Sequence, residues 1–131
     1  MAEKINWTLD VQVEGGPKIS DSRTMVLEAY DKIEVVINDG STGVEVEVQP
    51  SEAAKVQLLL IRSSQYGSKL SYSLNAPEGD EAKRIKLDAL QLLVGEGGMG
   101  LLGDAPKKLY FYNSLGAGKD ASITILVGRN V

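Results

Sequence analysis

The sequence predicts an all-β chain: an antiparallel, jelly-roll-like β-sandwich of about 8–9 short strands. Three observations carry that expectation. Apolar and polar residues alternate along most of the chain, as in Ile5-Asn6-Trp7-Thr8-Leu9-Asp10-Val11-Gln12-Val13, and successive strand side chains point to opposite faces. Turn-forming clusters recur at short spacing, among them Gly15-Gly16-Pro17, Asn38-Asp39-Gly40 and Asn75-Ala76-Pro77. No stretch combines the length and the 3.6-residue period of a long amphipathic helix.

The elements follow in order. A first strand is expected over 4–14, closed by Gly15-Gly16-Pro17. A second over 23–30 and a third over 32–38 meet at Tyr30-Asp31. The turn-rich run Asn38-Asp39-Gly40-Ser41-Thr42-Gly43 leads into a strand at 44–48, which ends at Pro50 because proline has no N–H for a ladder. Ser51-Glu52-Ala53-Ala54 suits one helical turn. Strands then follow at 55–63, 69–75 and 82–87, with breaks at Ser64–Ser68 and Asn75–Asp80. After Pro106 a last hairpin joins 108–113 to 121–127 through Leu115-Gly116-Ala117-Gly118.

One segment departs from this rhythm. Between Leu87 and Gly103, Leu90, Leu92, Leu93, Val94, Met99, Leu101 and Leu102 crowd among glycines, so an irregular or short helical piece is expected near 88–103. Several strands are also apolar on both faces. Val56, Leu58 and Leu60 oppose Leu59 and Ile61; Ile123, Ile125 and Val127 oppose Leu126; Ile33, Val35 and Ile37 oppose Val36. A two-sheet sandwich covers only one face of each sheet, and large bare apolar patches are rare on monomers. The second face therefore needs a lid, expected partly from the Gly/Leu segment and partly from another copy. The residues assigned to that subunit interface are Leu59, Ile61, Leu92, Leu93, Met99, Leu101, Leu102 and Leu126.

Composition bounds the chemistry. A single domain over 1–131 is expected, with no apolar run near the roughly 20 residues that cross a bilayer. The opening Met-Ala-Glu-Lys-Ile-Asn-Trp enters a strand pattern directly, so a cytoplasmic chain without a leader is expected. The chain has no cysteine and no histidine, which removes disulfides, thiolate nucleophiles, Cys/His zinc sites and imidazole bases. Carboxylate, Lys, Tyr or Ser chemistry remains, as does oxygen ligation of a hard cation. Residues 1–54 hold 4 basic and 11 acidic side chains, and residues 55–131 hold 10 and 7, a net −7 against +3. That asymmetry reads either as solvated faces or as charged faces that meet between subunits. The acidic total of −4 argues against nucleic acid.

The motifs are weak. Gly95-Glu96-Gly97-Gly98-Met99-Gly100 fits G-x-G-x-x-G, and Asp120 stands about 20 positions on. Pro106 leaves no room for the helix that a dinucleotide site requires, so no cofactor is expected. Glu45 and Glu47 share one strand face roughly 7 Å apart, wider than the about 5 Å of a retaining glycosidase pair. Asn38, Asp39, Glu45 and Glu47 are weak Ca²⁺ candidates by ligand type. Tyr110 and Tyr112 share a face suited to stacking on a sugar, or simply to packing. Lys83, Arg84 and Lys86 with Lys107 and Lys108 form a basic patch only if their strands pair. The expectation is a non-enzymatic, self-associating structural subunit without a membrane or nucleic-acid partner. Rings, shells and phage-like particles are built from such homo-oligomeric subunits, an analogy of fold alone. The alternatives are a small module binding carbohydrate or Ca²⁺, then a carboxylate-dependent hydrolase.

Overall fold

The computed structural model describes residues 2–48 and 55–130; the helical turn expected at 51–54 lies outside them. The described residues form ten strands: β1 (Glu3–Gln12), β2 (Lys18–Leu27), β3 (Ala29–Ile37), β4 (Thr42–Glu47), β5 (Lys55–Ser63), β6 (Leu70–Leu74), β7 (Ile85–Lys86), β8 (Gln91–Val94), β9 (Lys108–Asn113) and β10 (Ala121–Asn130). A short helix, α1 (Gly95–Gly100), follows β8. No helix among the described residues is long and apolar enough to cross a membrane.

Every pairing is antiparallel. The strands make two four-stranded sheets, β3-β10-β5-β8 and β4-β9-β6-β7, and a separate hairpin, β1-β2. From β3 onward the outermost strand pairs with the outermost: β3 with β10, β4 with β9, β5 with β8, β6 with β7. That is one long hairpin ribbon. Folding it over on itself sets β10 beside β5 and β9 beside β6, which completes the two sheets.

The main core lies between these sheets. Ile37, Leu59, Ile61, Ile123, Ile125 and Val127 from the first meet Val46, Leu70, Tyr72, Leu109 and Phe111 from the second. The Tyr72 and Phe111 rings sit 5.6 Å apart, tilted at 44°. Tyr72 also donates its hydroxyl proton to Gln91 Oε1 at 2.6 Å, a bond from β6 in one sheet to β8 in the other. Alternation accounts for β3 and β10 as expected: Ile37 is buried while Val36 is 56% exposed, and Ile123, Ile125 and Val127 point inward opposite Leu126.

Three elements differ from expectation. On β5, Leu59 and Ile61 face the sheet-to-sheet core, whereas Leu58 and Leu60 face outward. Pairing with β10 slips between Gly128 and Arg129, and this bulge puts Val56 on the core side together with Leu59. The strand expected at 23–30 instead begins at Lys18, and the chain breaks at Glu28, whose N–H reaches Arg129 O at 3.1 Å. The Gly/Leu segment holds the short helix expected near 88–103, which buries Met99 against the core, but its first part is strand β8, paired with β5.

The outward apolar face is covered chiefly by the chain's own hairpin. Ile5, Trp7, Met25 and Leu27 pack on Leu58, Leu60, Leu92, Val94 and Leu126.

Candidate functional site

Among the described residues, only the base of the β1-β2 hairpin packs on the sandwich. In its register Ile5 lies opposite Met25, Trp7 opposite Arg23, Leu9 opposite Asp21 and Val11 opposite Ile19. Directly opposed residues share a face, so one continuous stripe runs from Ile5 and Met25 out to Val11 and Ile19. Its inner end is buried under the hairpin. From Thr8 to Thr24 every residue is exposed. Leu9 is 47% exposed, Val11 51%, Val13 58% and Ile19 70%. Thr8 to Val13 covers roughly 17–20 Å at the usual strand rise, so this is a projecting arm with an apolar side.

Local chemistry stiffens the arm. Val13 and Pro17 close its tip through Val13 N–H to Pro17 O at 2.9 Å, and Gly15 takes the positive φ of 72° that the turn needs. On the opposite, polar face Ser20 Oγ donates to Asp10 Oδ1 at 2.5 Å and Thr24 Oγ1 to Asn6 Oδ1 at 2.7 Å. At the base, the Trp7 indole N–H is buried with no acceptor among the described residues. The exposed arm carries Asp10, Glu14 and Asp21 against Lys18 and Arg23.

A second apolar surface lies on the side of the sandwich where edge strands β7 and β8 come together. A hollow of about 400 Å³ is lined there by Tyr72, Ile85, Leu90, Leu93, Leu101 and Leu102. Leu90 is 51% exposed and Leu101 81%. Lys83 borders the adjoining hollow that shares Ile85 and Leu102.

The residues assigned to a subunit interface from sequence do not form one surface. Leu59, Ile61 and Met99 are interior, at 1%, 0% and 7% exposure, and are closed to a second copy. Leu92 and Leu126 lie half-buried in the cluster beneath the hairpin, and Leu93 and Leu102 lie half-buried against the main core. Leu101 alone of that set stands out in solvent. The arm stripe was missed because Leu9, Val11 and Val13 continue the alternation of Ile5 and Trp7 unchanged; their pattern signals a strand face without saying whether anything covers it.

The other candidates are scattered. Asp39 accepts the N–H of Gly116 at 3.0 Å and of Gly118 at 3.3 Å, and so pins the 116–118 loop. Glu45 stands on the outer face of β4, where the Tyr110 hydroxyl donates to it at 2.8 Å and Lys108 Nζ lies at 3.4 Å. That hydrogen bond, then the lysine, holds the Glu45 carboxyl below its ordinary value, and the same bond pushes the Tyr110 phenol up. Glu47 is exposed. No group of three Asp, Glu, His or Cys placed to hold a metal occurs among the described residues. Tyr112 is not free for stacking: the Arg84 guanidinium covers its ring at 3.7 Å and its hydroxyl accepts the Glu78 N–H at 2.8 Å. Lys86 lies level with Tyr112, toward the other end of β9 from Lys108, so the lysines make no single patch. The G-x-G-x-x-G run is the body of α1 itself rather than a loop before a helix.

No protein family matches this chain, and no curated protein or solved structure matches it at a significant level.

Proposed function

We propose that the protein is a non-enzymatic, self-associating structural subunit: a jelly-roll sandwich whose β1-β2 arm holds copies together. The wrapped-ribbon strand order supports the jelly-roll reading. Capsid, lectin and cupin domains all use that architecture, so the role has to be argued from the surface. The observation that carries it is the stripe of Leu9, Val11, Val13 and Ile19, bare along a two-stranded ribbon. Such a ribbon is marginal in water without packing on one face, and fully burying each side chain is worth about 1.5–3 kcal/mol. A partner that covers the stripe therefore stabilises both itself and the arm.

The competing readings draw less support. A sugar-stacking site at Tyr110 and Tyr112 meets a ring already covered by Arg84. A Ca²⁺ site at Asp39 meets a carboxylate already bonded to two backbone N–H groups. A hydrolytic pair at Glu45 and Glu47 stands on an exposed strand face, with Glu45 bonded to Tyr110.

The test is the doubly substituted arm, Val11→Asp with Ile19→Asp. Both positions are exposed, so far-UV circular dichroism is expected to stay near wild type while the oligomer falls to the single-chain mass. Equal masses for wild type and variant overturn the proposal.

A further inference from the structure

Self-association as just proposed brings a second surface into play, the free edge of β3, whose role in an assembly rests on that reading. We infer that this edge pairs antiparallel with the same edge of another copy, about a two-fold axis at Ile33. Of the strands that end the two sheets, β4 has six residues with a bulge between Thr42 and Val44, β8 has four and β7 two. β3 has nine, free of glycine and proline and in unbroken register with β10. Shortness, bulges and prolines keep sheet edges from pairing, and β3 uses none of them. No strand among the described residues pairs with its outer side.

The backbone fixes which groups that edge offers. Ser122 turns both of its groups toward β5: its carbonyl accepts the Ser64 N–H at 3.0 Å, and its N–H donates to Ser64 Oγ at 2.9 Å. Bonding groups alternate sides along an antiparallel strand, so Ile123, Ile125 and Val127 bond to Val35, Ile33 and Asp31 of β3. Tyr30, Lys32, Glu34 and Val36 therefore present their N–H and C=O groups outward.

The side chains of those four residues select the partner. They line the outer face in the order apolar, basic, acidic, apolar, with Tyr30 51% and Val36 56% exposed. Read in reverse, that order is its own complement. About the axis, Lys32 lies opposite Glu34 of the second copy, and Tyr30 opposite its Val36. Lys32 and Glu34 also pair within the strand at 3.2 Å, so the four charges alternate around one cluster. A slip of one residue sets outward groups against inward ones and forfeits the bonds. A slip of two sets Lys32 against Lys32 or Glu34 against Glu34, and like charges directly opposite destabilise a sheet. Longer slips leave fewer rungs. The register that remains makes the β3-β10-β5-β8 sheets of two copies continuous. Exposed hydrogen bonds and ion pairs contribute little each against the cost of association. The edge therefore pairs weakly alone, and is filled once arms hold copies at high local concentration.

The charge cluster supplies the test, made in the arm variant Val11→Asp with Ile19→Asp so that the arm contact is absent. Light scattering is expected to give the single-chain mass at micromolar concentration, climbing toward twice that mass at millimolar. Adding either Lys32→Glu or Glu34→Lys is expected to weaken the pair by roughly tenfold or more, since like charges then oppose each other on both rungs. Mixing those two chains equally, or making both changes in one chain, is expected to restore it. The amides of Tyr30, Lys32, Glu34 and Val36 should exchange slowly in the pair and fast on dilution, with those of Ile33 and Val35 protected throughout. An arm variant that stays at the single-chain mass at millimolar concentration overturns the β3 pairing. So do charge changes without effect, or a mixture that does not recover. A wild type at the single-chain mass at micromolar concentration overturns the arm reading instead, and the millimolar series still decides the edge.

Discussion

Leu27 lies where a side chain on Gly128 would have to go: a Cβ there would come within 2.5 Å of Leu27 Cδ1 and 3.0 Å of Ile5 Cδ1. Gly128 sits opposite the β5 bulge, and both neighbours belong to the buried base of the hairpin. The glycine is the socket in which the arm is seated, so sandwich and arm are joined through the absence of one methyl group.

Gly128→Ala should therefore loosen the seat. The expected cost is about 1–3 kcal/mol, the range for overpacking a filled interior, read as a lowered urea midpoint. Amide exchange should speed up in 3–7 and 23–27 while the main-core amides of β5 and β9 keep their protection. Unchanged exchange in the hairpin base would contradict the seat.

The reversed face of β5 gives a second expectation. Leu59 is 1% exposed in the main core, so Leu59→Ala should cost about 2–5 kcal/mol. Leu101 is 81% exposed, so Leu101→Ala should leave the stability of the single chain within about 0.5 kcal/mol. Chemical denaturation of both variants decides the matter; similar losses would mean that the faces are misassigned.

Tyr72 makes stability pH-dependent on the alkaline side. Burial pushes its phenol above the ordinary value of 10.0. The folded value is thus higher than the unfolded one, so this contribution is intact below about pH 10 and is lost as the pH rises beyond it. Tyr72→Phe removes the titrating group along with the bond to Gln91. The variant should be less stable at neutral pH yet fall less steeply above about pH 10. Parallel urea midpoints for the two proteins across that range would contradict the assignment.

Asp39 is expected to act as a brace rather than a cation ligand. Its carboxylate holds the N–H groups of Gly116 and Gly118, next to Ala117 at a positive φ of 54°. Asp39→Ala should cost about 1–2 kcal/mol, within the range for hydrogen bonds to a charged group and for groups left unpaired. Millimolar Ca²⁺ should leave the melting temperature of the unaltered protein where it was. A rise that disappears in Asp39→Ala would restore the metal reading.

Much of the sandwich was legible in the sequence, and the reasons are local. Ile33, Val35 and Ile37, like Ile123, Ile125 and Val127, recur at every second position because that face of each strand meets the core. β5 was harder: a strand apolar on both faces does not say which face is inside, and a bulge opposite Gly128 changes its phase midway. The first half of β2, Lys18-Ile19-Ser20-Asp21-Ser22, is a strand with no buried face, so it lacks the alternation that would have revealed it. β8 hid in the Gly/Leu segment because four half-buried residues are too few to show a period. The arm shows the limit most plainly. Trp7 and Leu9 sit two apart on one strand face, one against the sheet and the other in solvent, and only the fold separates them.

The mass of the unaltered protein in dilute solution is the most direct check on the central claim. Static light scattering across a dilution series should give a discrete multiple of 14.1 kDa at micromolar concentration. A mass of 14.1 kDa throughout the series, with the arm stripe still bare, would contradict it.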